Sequence, residues 1–248
     1  DSDIVGLWHF DEGTGSTAAD LSGNANHGTL SGGKFGNALC FDGVDDYVEV
    51  PDSASLDITG DITLEAWILI NDFSTSEGYH MYIVSKDSAG QRSYGIGVDL
   101  TWNSPKKPFF IVFHAGGSYK IAWGTNELVK GAWYHIAGVF DALNDKLTLY
   151  VNGVIQQTVI DTSTIYAGSA NLWIGAREYA GHRCFFNGLI DEARVSNIVR
   201  YTTGFTAPTT PFTIDGNTAA LWHFDESVGD TAYDSSGNDN DGTIHGAK

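Results

Sequence analysis

The chain has 248 residues, with 13 Lys plus Arg against 31 Asp plus Glu and a formal net charge of −18. That balance excludes a phosphate-tracking nucleic-acid binder, which needs clustered basic side chains, and it disfavours an anionic membrane surface. No apolar run nears the ~20 residues needed to cross a bilayer, and no basic-then-apolar leader is present, so neither membrane insertion nor a signal peptide is expected. Thirty Gly, five Pro and one Met beside 31 aromatic side chains describe a turn-rich β protein.

Short alternating runs bounded by Gly, Asp and Asn predict strands at 4–10, 37–42, 46–50, 62–70, 80–86, 93–99, 109–114, 118–123, 133–141, 145–151, 154–160, 171–176, 184–196 and 219–224. Residues 62–70 (ITLEAWILI) are apolar on both faces, as in a central strand. Asn152-Gly153 predicts a tight hairpin, because both positions tolerate positive φ. Only Asn197–Tyr201 suggests a helical turn. A dozen or so strands without βαβ spacing predict an antiparallel sandwich or jelly roll. Cys40 and Cys184 fall in predicted strands and permit one bridge at most, so paired and reduced states both stay open.

Residues 7–30 (LWHFDEGTGSTAADLSGNANHGTL) recur at 221–244 (LWHFDESVGDTAYDSSGNDNDGTI), at a constant offset of 214. Trp8 matches Trp222, and Asp20 matches Asp234. The stretch between them does not repeat, so the expectation is a tandem array of long units entering its second copy. The predicted division is a domain at 1–201, a Thr/Pro linker at 202–213 and a second copy at 214–248. Half a unit cannot bury its own apolar face. The second copy could pack beside the first, pair with another molecule, or displace the first from one slot.

Several blocks run in one order: LWHFDEGTG, KFGNALCFDGVDDYVEV, DITLEAWI, WYHIAGVFD, LTLYVNG, LWIGA and FNGLIDEARV. Together they resemble the bacterial laminin-G-like, concanavalin A-like jelly-roll family. The resemblance implies two curved antiparallel sheets and a structural calcium ion. It also implies a non-catalytic carbohydrate-binding or adhesive role in larger secreted or cell-surface proteins.

In Asp20-Leu-Ser22-Gly-Asn24-Ala-Asn26-His-Gly28, oxygen-bearing side chains fall at every second position, a spacing that can wrap a calcium ion. The alternative is an Asx/Gly turn that caps backbone N–H groups. Alternation places Leu189, Asp191, Ala193 and Val195 on one core-like face, and a carboxylate there needs a metal or several donors. Asp191 could thus close the calcium site. Asp42 reads as a turn residue. Aromatic rings serve as platforms for sugar C–H faces. Tyr79, Trp102, Tyr119 and Trp123 are candidates, with Arg177, Tyr179, His182 and Arg183 in a basic loop. Trp8, Trp67 and Trp133 read as packing residues.

A glycosidase needs two carboxylates roughly 5–9.5 Å apart. Glu65 has no acidic partner at i+2 or i+4, and no G-x-S-x-G or H-E-x-x-H motif occurs. The expectation is therefore a calcium-stabilised, lectin-like extracellular module. An adhesive repeat self-associating through 214–248 is the alternative, and a jelly-roll glycosidase or lyase stands behind both.

Overall fold

The computed structural model describes residues 4–7, 17–18, 20–26, 28–29, 33–76, 78–101, 106–179, 181–226 and 228–248. β1 (Thr17–Ala18) and β2 (Gly28–Thr29) form a ribbon in the N-terminal copy. Next come β3 (Leu39–Asp42), β4 (Tyr47–Val50), β5 (Ile62–Ile70), β6 (His80–Ser88), β7 (Gln91–Asp99) and β8 (Lys107–Phe113). A single 3-10 turn at Ala115–Gly117 leads to β9 (Tyr119–Trp123). β10 (Trp133–Asp141), β11 (Lys146–Val151) and β12 (Val154–Ile160) follow as a meander. Beyond β13 (Leu172–Ile174), β14 (Glu178–Tyr179) and β15 (His182–Arg183) lies the long β16 (Asn187–Ser196). The C-terminal copy supplies β17 (Thr218–Trp222), β18 (Thr231–Ala232) and β19 (Gly242–His245).

Two antiparallel sheets stack as the expected all-β sandwich. The seven-stranded sheet runs β12-β11-β10-β5-β16-β17, with β3 also on β16. The eight-stranded sheet runs β18-β19-β4-β13-β6-β7-β8-β9. Ile62, Leu64, Ala66, Ile68 and Ile70 of β5 face Ile96, Val98, Phe110 and Val112 of the opposite sheet across the core. The Asn152-Gly153 turn has φ of 49° and 77°, as a two-residue hairpin requires. Asn197–Tyr201 forms bends rather than a helical turn. The Thr63 hydroxyl donates to the Ile198 carbonyl and accepts the Arg200 N–H, which pins that backbone to β5. Cys40 is an exposed free thiol, and Cys184 is buried.

The C-terminal copy contributes a strand to each sheet. β17 pairs with β16, and β19 pairs with β4. Trp222 is fully buried and donates its indole N–H to the Asn240 carbonyl at 3.0 Å. Segment 202–213, expected as a linker, lies instead against the outer face of the seven-stranded sheet. Phe205 packs with Ala137, Val139 and Tyr150, while Phe212 packs with Trp67 and Leu221. This roof explains why β5 is apolar on both faces.

Beneath the roof sits a buried carboxylate. Glu65 accepts from Arg194 at 2.9 and 2.6 Å and from the Tyr201 hydroxyl at 2.7 Å. His135 Nε2 lies 3.1 Å from Oε2, the oxygen that also takes Tyr201. Burial alone would raise the Glu65 carboxyl. Hydrogen bonds from His135 and Tyr201 and the Arg194 charge outweigh it and hold the group at about 2. A carboxyl depressed on folding adds stability above its ordinary value near 4.5, and that stability drains away as pH falls towards about 2. Glu65→Gln leaves Arg194 buried without its counter-charge, so the expected loss is about 3–5 kcal/mol in a denaturant melt at pH 7. The variant should also show a flatter stability profile than wild type between pH 4.5 and 2.

Candidate functional site

The two sheets differ in what covers their outer faces. The seven-stranded sheet is roofed by the chain itself. On the eight-stranded sheet, Phe109, Ile111 and Phe113 alternate outward from β8 and pack with Tyr82, Ile121 and Trp123. They floor a groove of about 420 Å³ lined also by His80, Arg92, Tyr119 and Arg177. Tyr119 is 55% exposed, so it presents its ring at the rim. Trp123 is fixed by its N–H, which donates to Gln157 Oε1 at 2.7 Å.

The arginines are held flat on aromatic faces. Arg92 lies 3.8 Å from the Phe113 centroid and 4.5 Å from that of Tyr179. Arg177 lies 5.1 Å from both Tyr82 and Tyr179. Asp87 anchors Arg92 through Nε and Nη2 at 2.7 and 3.1 Å. Arg177 Nη1 donates to the Tyr82 hydroxyl at 3.0 Å. Its buried Nε finds no acceptor among the described residues. Burial pushes the Tyr82 phenol up to about 12 against the pull of Arg177. Burial likewise lowers His80, although Asp99 lies 3.7 Å away. The floor is thus apolar and aromatic, with fixed cationic donors at one side.

Of the sequence candidates, Tyr119, Trp123 and Arg177 line this groove, and Tyr179 packs against its arginines. Tyr79 is 60% exposed and precedes the groove residue His80, but is not among the lining side chains. Arg183 stacks elsewhere on the same sheet, over Tyr47 and Trp173. Trp102 lies outside the described residues, and His182 is placed through its strand pairing with Tyr179. Sequence reasoning missed Arg92, Phe109 and Phe113. The signal was present in Lys107–Phe113 (KPFFIVF), whose two faces are both apolar.

The Asp20 loop folds as a compact turn. Asp20 accepts the N–H groups of Leu7, Ser22 and Asn26 and the Ser22 hydroxyl, at 2.8–2.9 Å. These bonds, led by Ser22, hold its carboxyl well below the usual range. Asn24 and Asn26 point side-chain N–H donors at the carbonyls of Ile4 and Val5. Asp191 is not on the core face expected for it. A bulge between Asp191 and Arg194, with Glu192 at φ 55°, resets the alternation of β16. Asp191 therefore pairs opposite Trp67, and its Oδ2 accepts the Phe35 N–H at 2.9 Å. Its Oδ1 is buried without a partner among the described residues. Burial, then the charges of Glu192 and Asp225, push the Asp191 carboxyl up to about 7. Asp225 caps the same turn by accepting the Asn37 N–H at 2.9 Å. Separately, Asp42, Asp45 and Asp46 bring carboxylate oxygens within 4.8 Å of one another, with Asp42 Oδ1 accepting the Val44 N–H as a turn residue does.

A family model described as the concanavalin A-like lectin/glucanases superfamily, of laminin-G type, matches residues 42–203. Both repeat copies fall outside that span. No curated protein matches the chain. A proposed carbohydrate-binding protein from Bacteroides ovatus is similar in structure at 20% identity and a TM-score of 0.66, over 85% of this chain and 58% of its own. The family 40 carbohydrate-binding module of a Ruminococcus gnavus sialidase, solved with α2,3-sialyllactose, is similar at 14% identity and a TM-score of 0.51. That match covers 65% of this chain and 92% of the module. At these identities the likeness is one of fold, and the chain spans little more than half of the Bacteroides protein.

Proposed function

The chain belongs to the concanavalin A-like lectin/glucanases superfamily, and on that footing we propose that it is a carbohydrate-binding module whose groove lies on the outer face of β6–β9. The observation that carries this reading is the pairing of an aromatic floor with Arg92 and Arg177 held beside it. A sugar ring stacks its C–H face on Trp123 and Tyr119, while Arg92 and Arg177 donate to its hydroxyl or carboxylate oxygens. Asp87, the buried carboxylate behind the groove arginines, is engaged by both of them, which supports binding rather than hydrolysis. The Bacteroides and Ruminococcus relatives, one described as and one solved as a sugar binder, lend the reading further support. A place within a larger secreted or cell-surface protein accords with it. The adhesive alternative has less support, because 218–248 is engaged within its own sandwich. Isothermal titration against oligosaccharides retrieved from a glycan array checks this. Trp123→Ala should weaken binding at least tenfold with the melting temperature within a few degrees of wild type. Silence of the folded protein across the array would remove the reading.

The proposal extends to a structural calcium ion at Asp191. Its support is the buried, unpartnered Oδ1 and the raised carboxyl, both of which a hard cation would relieve, with Asp225 as a second oxygen donor beside the 33–37 turn. The loop at Asp20, Ser22, Asn24 and Asn26 is stable through its own hydrogen bonds and has less need of an ion. Adding calcium to chelator-treated protein should raise the melting temperature by several degrees, since the ion binds the native state alone. Asp191→Asn should abolish that gain, and Asp20→Ala should keep it. An unchanged wild-type melt would refute the metal.

A further inference from the structure

The two repeat copies build the same knot, bond for bond. Leu7 N–H to Asp20 Oδ1 (2.9 Å) matches Leu221 N–H to Asp234 Oδ1 (3.0 Å). Ser22 Oγ to Asp20 Oδ2 (2.8 Å) matches Ser236 Oγ to Asp234 Oδ2 (2.7 Å). Asn26 Nδ2 to the Val5 carbonyl (2.7 Å) matches Asn240 Nδ2 to that of Ala219 (2.8 Å). Ala25 and Asp239 share a left-handed backbone, at φ 55° and 58°. The ribbons share a register too: Thr17 opposes Thr29 as Thr231 opposes Thr243.

Among the described residues, only the C-terminal copy is seated. β17 and β19 join the two sheets, whereas β1 and β2 pair with each other alone. The seat is an edge on each sheet, and it selects particular side chains. Trp222, Phe224 and Ala232 enter the core. Asn240 binds Ser53 and Ser55. A Cβ on Gly242 would come within 2.4 Å of Val48. Lys248 exchanges both backbone hydrogen bonds with Cys40, at 2.7 and 3.1 Å. At the equivalent positions the N-terminal copy carries Trp8, Phe10, Ala18, Asn26, Gly28 and Lys34. Its differences include Ser31 where His245 stacks on Tyr47 at 4.4 Å, Gly6 where Ala220 stiffens the strand, and Ile4 and Val5 where Thr218 and Ala219 are buried. It is also within reach. Placing Lys34 opposite Cys40 closes a five-residue hairpin loop over 35–39, an ordinary length, with Gly36 already at φ 122°.

We propose that the N-terminal copy is a second occupant of this seat and exchanges with the C-terminal copy in the same sandwich. One seat and two matched occupants within residues 4–248 leave one copy out of the seat, with the Asp20 turn already formed in the displaced one. The occupant is identified by repetition of Trp222, Phe224, Ala232, Asn240, Gly242 and Lys248 as Trp8, Phe10, Ala18, Asn26, Gly28 and Lys34, independently of the carbohydrate groove.

A thermal double-mutant cycle on the full chain tests it. Asp20→Ala alone should barely move the melting temperature, because that copy is unseated. Asp234→Ala alone should cost a few degrees, because the other copy takes over. The double variant should lose far more than the sum. Additive losses would overturn the exchange. Should the double variant not fold, a thiol trap decides: Lys34→Cys pairs with the native exposed Cys40 once the N-terminal copy is seated, since residues opposed in an antiparallel pair lie about 5.5 Å apart. Monomer carrying this bridge should rise several-fold when Asp234→Ala is added. An unchanged yield refutes the exchange, and a bridge between two molecules overturns it in favour of a second copy as occupant.

Discussion

A β-sandwich is complete only when its edge strands find backbone partners, and here one stretch of chain answers that need on both sheets. The β16 edge beyond the bulge takes β17, and the β4 edge takes β19. Unpaired, those edges would leave rows of N–H and C=O groups beside the most apolar part of the core. Trp222, filling the interior behind β17, adds apolar burial to the backbone pairing. Everything else rests on this closure. β16 can hold Asp191, Glu192 and Arg194 in place because it has neighbours on both sides along its upper half.

Closure also settles where a ligand can go. A sandwich has two outer faces. The route from β16 to β17 carries segment 197–217 across the first, and Phe205 and Phe212 complete that cover. Glu65 beneath it is matched by Arg194, His135 and Tyr201, and Arg200 reaches Asp215 at 2.9 Å. Among the described residues, the second outer face has no such cover over β6–β9. Its aromatic side chains stay available, and Arg92 and Arg177 stand on them with Asp87 between. An excess of acidic groups over the rest of the molecule makes this basic patch distinctive.

Much of the fold was legible because β-sandwich patterning is local. Strands at Ile62–Ile70, Trp133–Asp141 and Val154–Ile160 were readable to the residue, from alternation and from Asn152-Gly153. Parity along β16 was not, since the bulge depends on register with β5 rather than on any residue preference. The same limit governed the groove. Trp123, Arg177 and Tyr179 stood out as aromatic or basic, but Arg92 and Phe113 become binding candidates only when β7 and β8 lie side by side. The repeat showed that a second copy must be housed. Only strand pairing showed that it would be housed inside the sheets.

The groove floor has one further property. The Tyr82 hydroxyl, with its phenol raised by burial to about 12, keeps its proton through any physiological acidity. Burial shifts His80 towards its neutral form. The guanidinium groups do not titrate there. The Tyr82 phenol and the two guanidinium groups therefore present an unvarying face to a visiting molecule. Any sensitivity of attachment to acidity would then belong to His80 or to the visitor.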